Sequence, residues 1–299
     1  MNICIYNRAN RKEENRKTGM QEHNAIIRIG NTVIAKHAQQ QQTPQKGTFT
    51  FTIKNEVSPH LMQSIGDRAS FEAASVLTLR DYLKRCHRAT ELYSALRLVH
   101  DLGRQMEALI AGGRGIACIG VDDVAVMLHR DSDAFTHADS DSSSSTLGDS
   151  RLDPRFLFLN DRLIFEVDES DGALLIDRAL TKPKSNDDAA TAFMSPELLE
   201  TLNNKAKASA SGGGVHFKTA YYSAAQLVIY FLLNVVVMDS GHAEDSGHAE
   251  DSGHAEDSGH HVEDSEQEEH LRPIKGTKLY WFLLRCLNRV PSERKYVYI

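Results

Sequence analysis

The run from Ala224 to Met238, AAQLVIYFLLNVVVM, carries no charged side chain and constrains the fold more than any other stretch. It is shorter than the ~20 residues needed to span a bilayer. An apolar segment of that length reads instead as a helix buried in the core of a large domain, entered through Tyr221-Tyr222-Ser223. Apolar residues make up 41% of the 299, enough to surround such a helix. One large domain or two small ones fit that length.

Charge is unevenly placed. The net charge is −7, but Asp239 to His270 alone holds twelve acidic residues and no Lys or Arg, leaving −7 + 12 = +5 for the rest. No basic excess points to nucleic acid. The acidic stretch contains DSGHAE three times in tandem, with His242, His248, His254, His260, His261 and His270 among carboxylates. No residue in its period could face an apolar interior, so it reads as a disordered insertion over 239–270. Weak zinc, copper or nickel binding by those histidines is the one chemistry it suggests. A second Ser/Asp-rich insertion runs over 131–150. The four cysteines, Cys4, Cys86, Cys118 and Cys286, form neither a metal knuckle nor a disulfide framework, which suits reduced thiols in an intracellular, cytoplasmic setting. The charged N-terminus is unlike a signal peptide, and no membrane segment is expected.

In chain order, residues 1–24 read as a disordered terminus. Asn24 to Ala38 alternates around Gly30-Asn31 and predicts two strands and a turn. Thr48 to Lys54, TFTFTIK, predicts a half-exposed strand. Glu56 to Ile65 suits a short helix. Phe71 to Leu83 reads as the start of a helical half, with Thr78 as N-cap and Asp81 three residues on. Glu91 to Ile110 carries a wide 3.6-period apolar stripe and predicts a long helix, ended by Gly112-Gly113. Strands come next at Val124 to Leu128, Arg155 to Leu159, Leu163 to Val167 and Ala173 to Ile176, with turn signals at Asn160-Asp161 and Asp171-Gly172. Ile274 to Val290 predicts a last helix, with Pro291-Ser292-Glu293-Arg294 beyond it.

Ahead of the apolar helix stands Phe193-Met194-Ser195-Pro196-Glu197-Leu198. This element order resembles a protein kinase: a strand-bearing small lobe over 25–70 and a mainly helical large lobe over 71–299, an α+β bilobal fold. Ser195-Pro196-Glu197 is similar to the Ala-Pro-Glu end of the activation segment. Pro-x-Glu-Arg after the last helix is similar to the segment whose Arg pairs with that carboxylate, so the resemblance implies an anchor between Glu197 and Arg294. Val33-Ile34-Ala35-Lys36 is similar to the strand bearing the phosphate-binding lysine, with Glu56 as its helix partner. Among glycines only Gly30 lies near it.

The residues that phosphoryl transfer needs are where the chain departs from this pattern. After Gly115-Ile116 the family has His-Arg-Asp; here Cys118-Ile119-Gly120 stands as a degenerate catalytic loop. Asp123, followed by Val124, falls near the family's metal-binding Asn. The literal His129-Arg130-Asp131 comes about ten residues late and has Thr136 where an Asn is required. Asp177 best matches the Asp-Phe-Gly aspartate, with Asp168 and Asp171 as alternatives. The apolar helix has Ala220 where the family places an Asp. The resemblance therefore implies a pseudokinase that binds a protein partner. The alternative is a divergent Ser/Thr kinase using ATP and magnesium through Lys36, Asp123 and Asp177.

Overall fold

The computed structural model describes residues 24–36, 48–55, 57, 61, 70–85, 92–130, 152–176, 180, 193–204, 214–235 and 269–296. The first five strands are β1 (Asn24–Ile29), β2 (Thr32–Lys36), β3 (Phe49–Asn55), β4 (Ser70–Ala73) and β5 (Ser75–Thr78). Helices α1 (Leu79–Arg85) and α2 (Leu92–Ala111) come after them, then strands β6 (Arg114–Ile116), β7 (Val124–Arg130), β8 (Leu152–Phe158), β9 (Ile164–Val167) and β10 (Ala173–Leu175). Helix α3 (Pro196–Asn204), strand β11 (Val215–His216), helix α4 (Thr219–Leu233) and helix α5 (Lys278–Cys286) complete the order. The fold is α+β with three antiparallel sheets, ordered β1-β2-β3-β4, β5-β7-β8 and β11-β10-β9-β6.

Helix α4 is the predicted core helix. Ala224, Ala225, Leu227, Val228, Ile229 and Phe231 are buried, as are Ser223 and Gln226 on its remaining faces. It stops at Asn234, which takes the left-handed conformation (φ 53°) and donates its N–H to Tyr230 O, a usual helix ending for Asn. Helix α2 buries Leu98, Val99, Leu102, Met106 and Leu109 against the same core. Full burial of each such side chain is worth about 1.5–3 kcal/mol.

Helix α2 also closes an open sheet edge. Strand β8 lies at the rim of its sheet and exposes main-chain groups that water or a foreign strand would otherwise meet. Asp101 accepts the Phe156 N–H (3.0 Å), and Gln105, one turn on, accepts the Phe158 N–H (2.7 Å) and donates to Phe158 O (3.2 Å).

The stretch expected to be helical from Phe71 is instead two strands. Phe71 pairs with Phe51 in one sheet, and Val76 pairs with Met127 in another; at Ala74 the chain crosses between them, with its N–H on Leu128 O. The first sheet thus runs through Ala73, past the expected small-lobe limit at 70. Helix formation waits until Leu79, where Thr78 Oγ1 accepts the Asp81 N–H and caps α1. Likewise the last helix begins at Lys278 rather than Ile274, because Thr277 caps it.

The first two sheets meet directly. Ile29, Ile34, Phe51 and Ile53 of the first pack on Val76, Ala125, Met127 and Leu159 of the second in one continuous apolar layer.

Candidate functional site

Two groups of polar residues are buried deeply enough to matter. The first anchors α3. Ser195 is its N-cap, Pro196 its first residue and Glu197 its second, which suits a hydroxyl acceptor, a residue without an N–H and a carboxylate near the positive end of a helix. Ser195 Oγ accepts the Leu198 N–H (3.4 Å) and meets the Thr219 hydroxyl at the start of α4. Glu197 forms a two-pronged ion pair with Arg294, Oε1 to Nη1 at 2.5 Å and Oε2 to Nη2 at 2.9 Å. Arg294 is fully buried, also donates from Nε to Asn288 O (2.7 Å), and lies 5.1 Å from the Tyr222 ring centre. The chain beyond α5 is thereby tied to α3 and α4.

The second group lies where the first two sheets meet the loop after β6. Cys118-Ile119-Gly120 is that loop, and it is largely buried. Asp123 closes a turn on it: Gly120 O accepts the Asp123 N–H (3.1 Å), while Asp123 Oδ2 accepts the Gly120 N–H (2.8 Å). Asp123 Oδ1 accepts from Asn160 Nδ2 at 2.6 Å. Burial pushes the Asp123 carboxyl up to about 6, helped slightly by Asp122, while the Asn160 and Gly120 donors hold it back. Asp122 itself is engaged by Arg80 through two contacts of 2.6 and 2.7 Å.

Asp161 is also buried and meets the β1–β2 turn. Its Oδ1 accepts the Asn31 N–H (2.9 Å) and its Oδ2 accepts from Asn31 Nδ2 (2.9 Å). Thr32 Oγ1 donates to Leu159 O (2.8 Å). Gly30 has φ +59°, and a Cβ there would stand 2.6 Å from Asp161 Oδ1 and 2.8 Å from Asn160 Oδ1. Only glycine meets both demands.

With Gly120 in the place where the expected loop would carry a carboxylate, Cys118 is a buried thiol pointing at Phe193 O (3.5 Å). Burial, and then the nearby Asp123, push it up to about 12. A group so protonated at neutral pH takes no proton from a hydroxyl.

The remaining expected residues do not gather here. Lys36 closes β2, about 13 Å of strand beyond Thr32, and its Nζ sits 3.0 Å from the Phe49 ring centre, a cation–π contact. Asp168 makes a local turn instead: two bonds from Ser170 hold its carboxyl below the usual range. Asp171 accepts the Ala173 N–H and shapes the next turn. His129 lies on β7 opposite Asp153, with burial lowering its pKa. Glu56, Asp177, Asp131 and the His-rich repeat lie outside the described residues, apart from His270 at the start of the final segment.

Each oxygen of Asp123 and of Asp161 accepts one N–H, and among the described residues no three His, Cys, Asp or Glu side chains are placed to hold a metal ion. A hollow of about 190 Å³ opens elsewhere, lined by Arg80, Leu83, Lys84, Val121, Tyr230 and Asn234. That is below the ~300–1,000 Å³ of pockets that enclose drug-sized ligands.

The role of Asn160-Asp161 is hidden in the sequence, where the pair reads as a turn. The available signal is the run Phe156-Leu157-Phe158-Leu159 just before it: a fully apolar strand delivers the next residues into the interior. Among the described residues no helix is long and apolar enough to cross a membrane. No protein-family model matches the chain, and no curated protein matches it either.

Proposed function

We propose that this chain is a kinase-like module that has lost transfer chemistry and works by binding another protein. The observation that carries this reading is the Glu197–Arg294 pair. It joins the end of an activation-segment-like stretch to the core beside α4, which is the anchor the resemblance calls for and which needs no catalysis to be useful. The protonated Cys118 thiol in the catalytic-loop position supports the loss of chemistry. So do two carboxylates each engaged on both oxygens, Asp123 by Asn160 and Gly120 and Asp161 by Asn31, and a lysine held on Phe49. Groups that act together in phosphoryl transfer cost several orders of magnitude when lost together. The partner is a protein rather than nucleic acid, given the net negative charge, and the thiol usage suits an intracellular site.

A thermal-shift titration with ATP and magnesium tests it. A ligand at about 100 times its Kd adds about 2.7 kcal/mol of stability. We expect no displacement of the melting temperature at millimolar nucleotide and no phosphate transfer to generic protein substrates. A saturable rise in melting temperature would favour a nucleotide-binding module, and transfer would overturn the reading altogether.

A further inference from the structure

The contact between the β1–β2 turn and Asp161 serves neither catalysis nor the α3 anchor. We infer that the Gly30-Asn31-Thr32 turn is an internal ligand of the junction, a latch that holds the four-stranded sheet down on β7 and β8 and fills the place an outside ligand would need. This rests on the kinase-like reading only in treating that junction as the counterpart of a ligand cleft.

Four observations converge on it. The turn is long-range: Asn31 reaches a carboxylate 130 residues away with both its backbone and side-chain N–H groups. The receiving residues are interior ones, with Asn160 fully buried and Asp161 nearly so. Thr32, also buried, donates to Leu159 O and accepts from Asn55 Nδ2, so the latch is braced from inside its own sheet. The backbone at Gly30 approaches Asn160 and Asp161 so closely that a Cβ has no room. Amide donors on a carboxylate, a backbone pressed against the floor and a buried brace are what a bound ligand shows; here the chain supplies them itself. Behind the latch, Ile29 and Ile34 share an apolar layer with Met127 and Leu159, so the closed state also buries hydrophobic surface.

The donor–acceptor pattern gives a reversible test. Asn31→Asp sets two carboxylates against each other. Asp161→Asn is the milder change: the new amide still accepts the Asn31 backbone N–H and, once the Asn31 amide turns over, donates to Asn31 Oδ1, so charge-assisted bonds become neutral ones. Combining them, N31D with D161N, rebuilds a match, because the amide at 161 accepts the backbone N–H of 31 and donates to the carboxylate now opposite. Native-state hydrogen exchange in the full chain, read on β1–β3 with α4 as internal reference, reports the outcome. Two carboxylates facing each other predict that N31D exchanges about tenfold or more faster over β1–β3, and the loss of charge assistance predicts a smaller rise for D161N. The reference amides should stay unchanged, and the double variant should return toward the parent rate. Exchange over β1–β3 within about twofold of the parent in both single variants would overturn the latch. So would equal loss over β1–β3 and α4, or a double variant no slower than N31D. Phosphate transfer by the parent would sink the functional reading and leave this measurement intact.

Discussion

The Glu197–Arg294 pair yields a prediction whose sign is unusual. Arg294 is 0% exposed, and the Glu197 side chain keeps 21% of its surface. Losing the carboxylate therefore strands a guanidinium that cannot reach water, whereas losing the guanidinium leaves a carboxylate that can rehydrate. Glu197→Gln removes the countercharge from a buried ion and should cost about 3–5 kcal/mol, the range for breaking a buried pair from one side. Arg294→Met keeps the stem packed near Tyr222 but orphans Asn288 O, and should cost about 2 kcal/mol. The double variant contains no stranded charge. It should be more stable than E197Q alone by about 1–2 kcal/mol, so adding a second substitution restores stability. Urea unfolding followed by far-UV circular dichroism at pH 7 gives all four corners of the cycle. The reasoning is refuted if the double variant is less stable than E197Q. A cost below about 1 kcal/mol for E197Q would refute it as well, since that is the range of exposed pairs.

The second buried group yields two more expected outcomes. The Asp123 carboxyl sits at about 6 in the fold against 3.8 for its reference state, so the native protein binds that proton more tightly. Its contribution is complete below about pH 4 and disappears as pH rises through 6. The unfolding free energy of the parent minus that of D123N should fall by about 2 kcal/mol between pH 4 and 7.5, and a difference that rises with pH would contradict the burial of this group. Cys118 and Cys286, both pushed up to about 12 chiefly by burial, should resist iodoacetamide at pH 7.5 until urea unfolds the chain. Peptide mapping checks this, and prompt native labelling of Cys118 would show that the loop is open.

Local order was readable wherever one period dominated. The hairpin around Gly30-Asn31 and the stripe of α2 are patterns that few alternatives satisfy, and the structure has a hairpin and a 20-residue helix there. The unbroken apolar run of α4 is another such pattern. Phe71 to Thr78 was opaque because its structure is decided by distant strands: Phe51 claims one half and Met127 the other, and no local signal marks Ala74 as the crossing. The start of α3 was legible because Ser-Pro-Glu caps a helix in its own right, whereas its pairing with Arg294 was implied only by the resemblance. The junction was not, since Asn31, Asn160 and Asp161 are ordinary turn residues whose burial arises only once two sheets close over them.

The hold that Asp101 and Gln105 keep on β8 has a consequence for how this chain tolerates change. In most hairpins the turn sets which residues of the two strands face each other. Here Phe156 and Phe158 are fixed from outside by a helix that is complete before either strand begins. The pairing from Val124–Phe158 to Arg130–Leu152 is thus held at the end away from the connection between the two strands. Lengthening such a connection costs only about 0.6 kcal/mol per doubling. With Phe156 and Phe158 held by α2, a change of that length would leave the register of β7 on β8 in place.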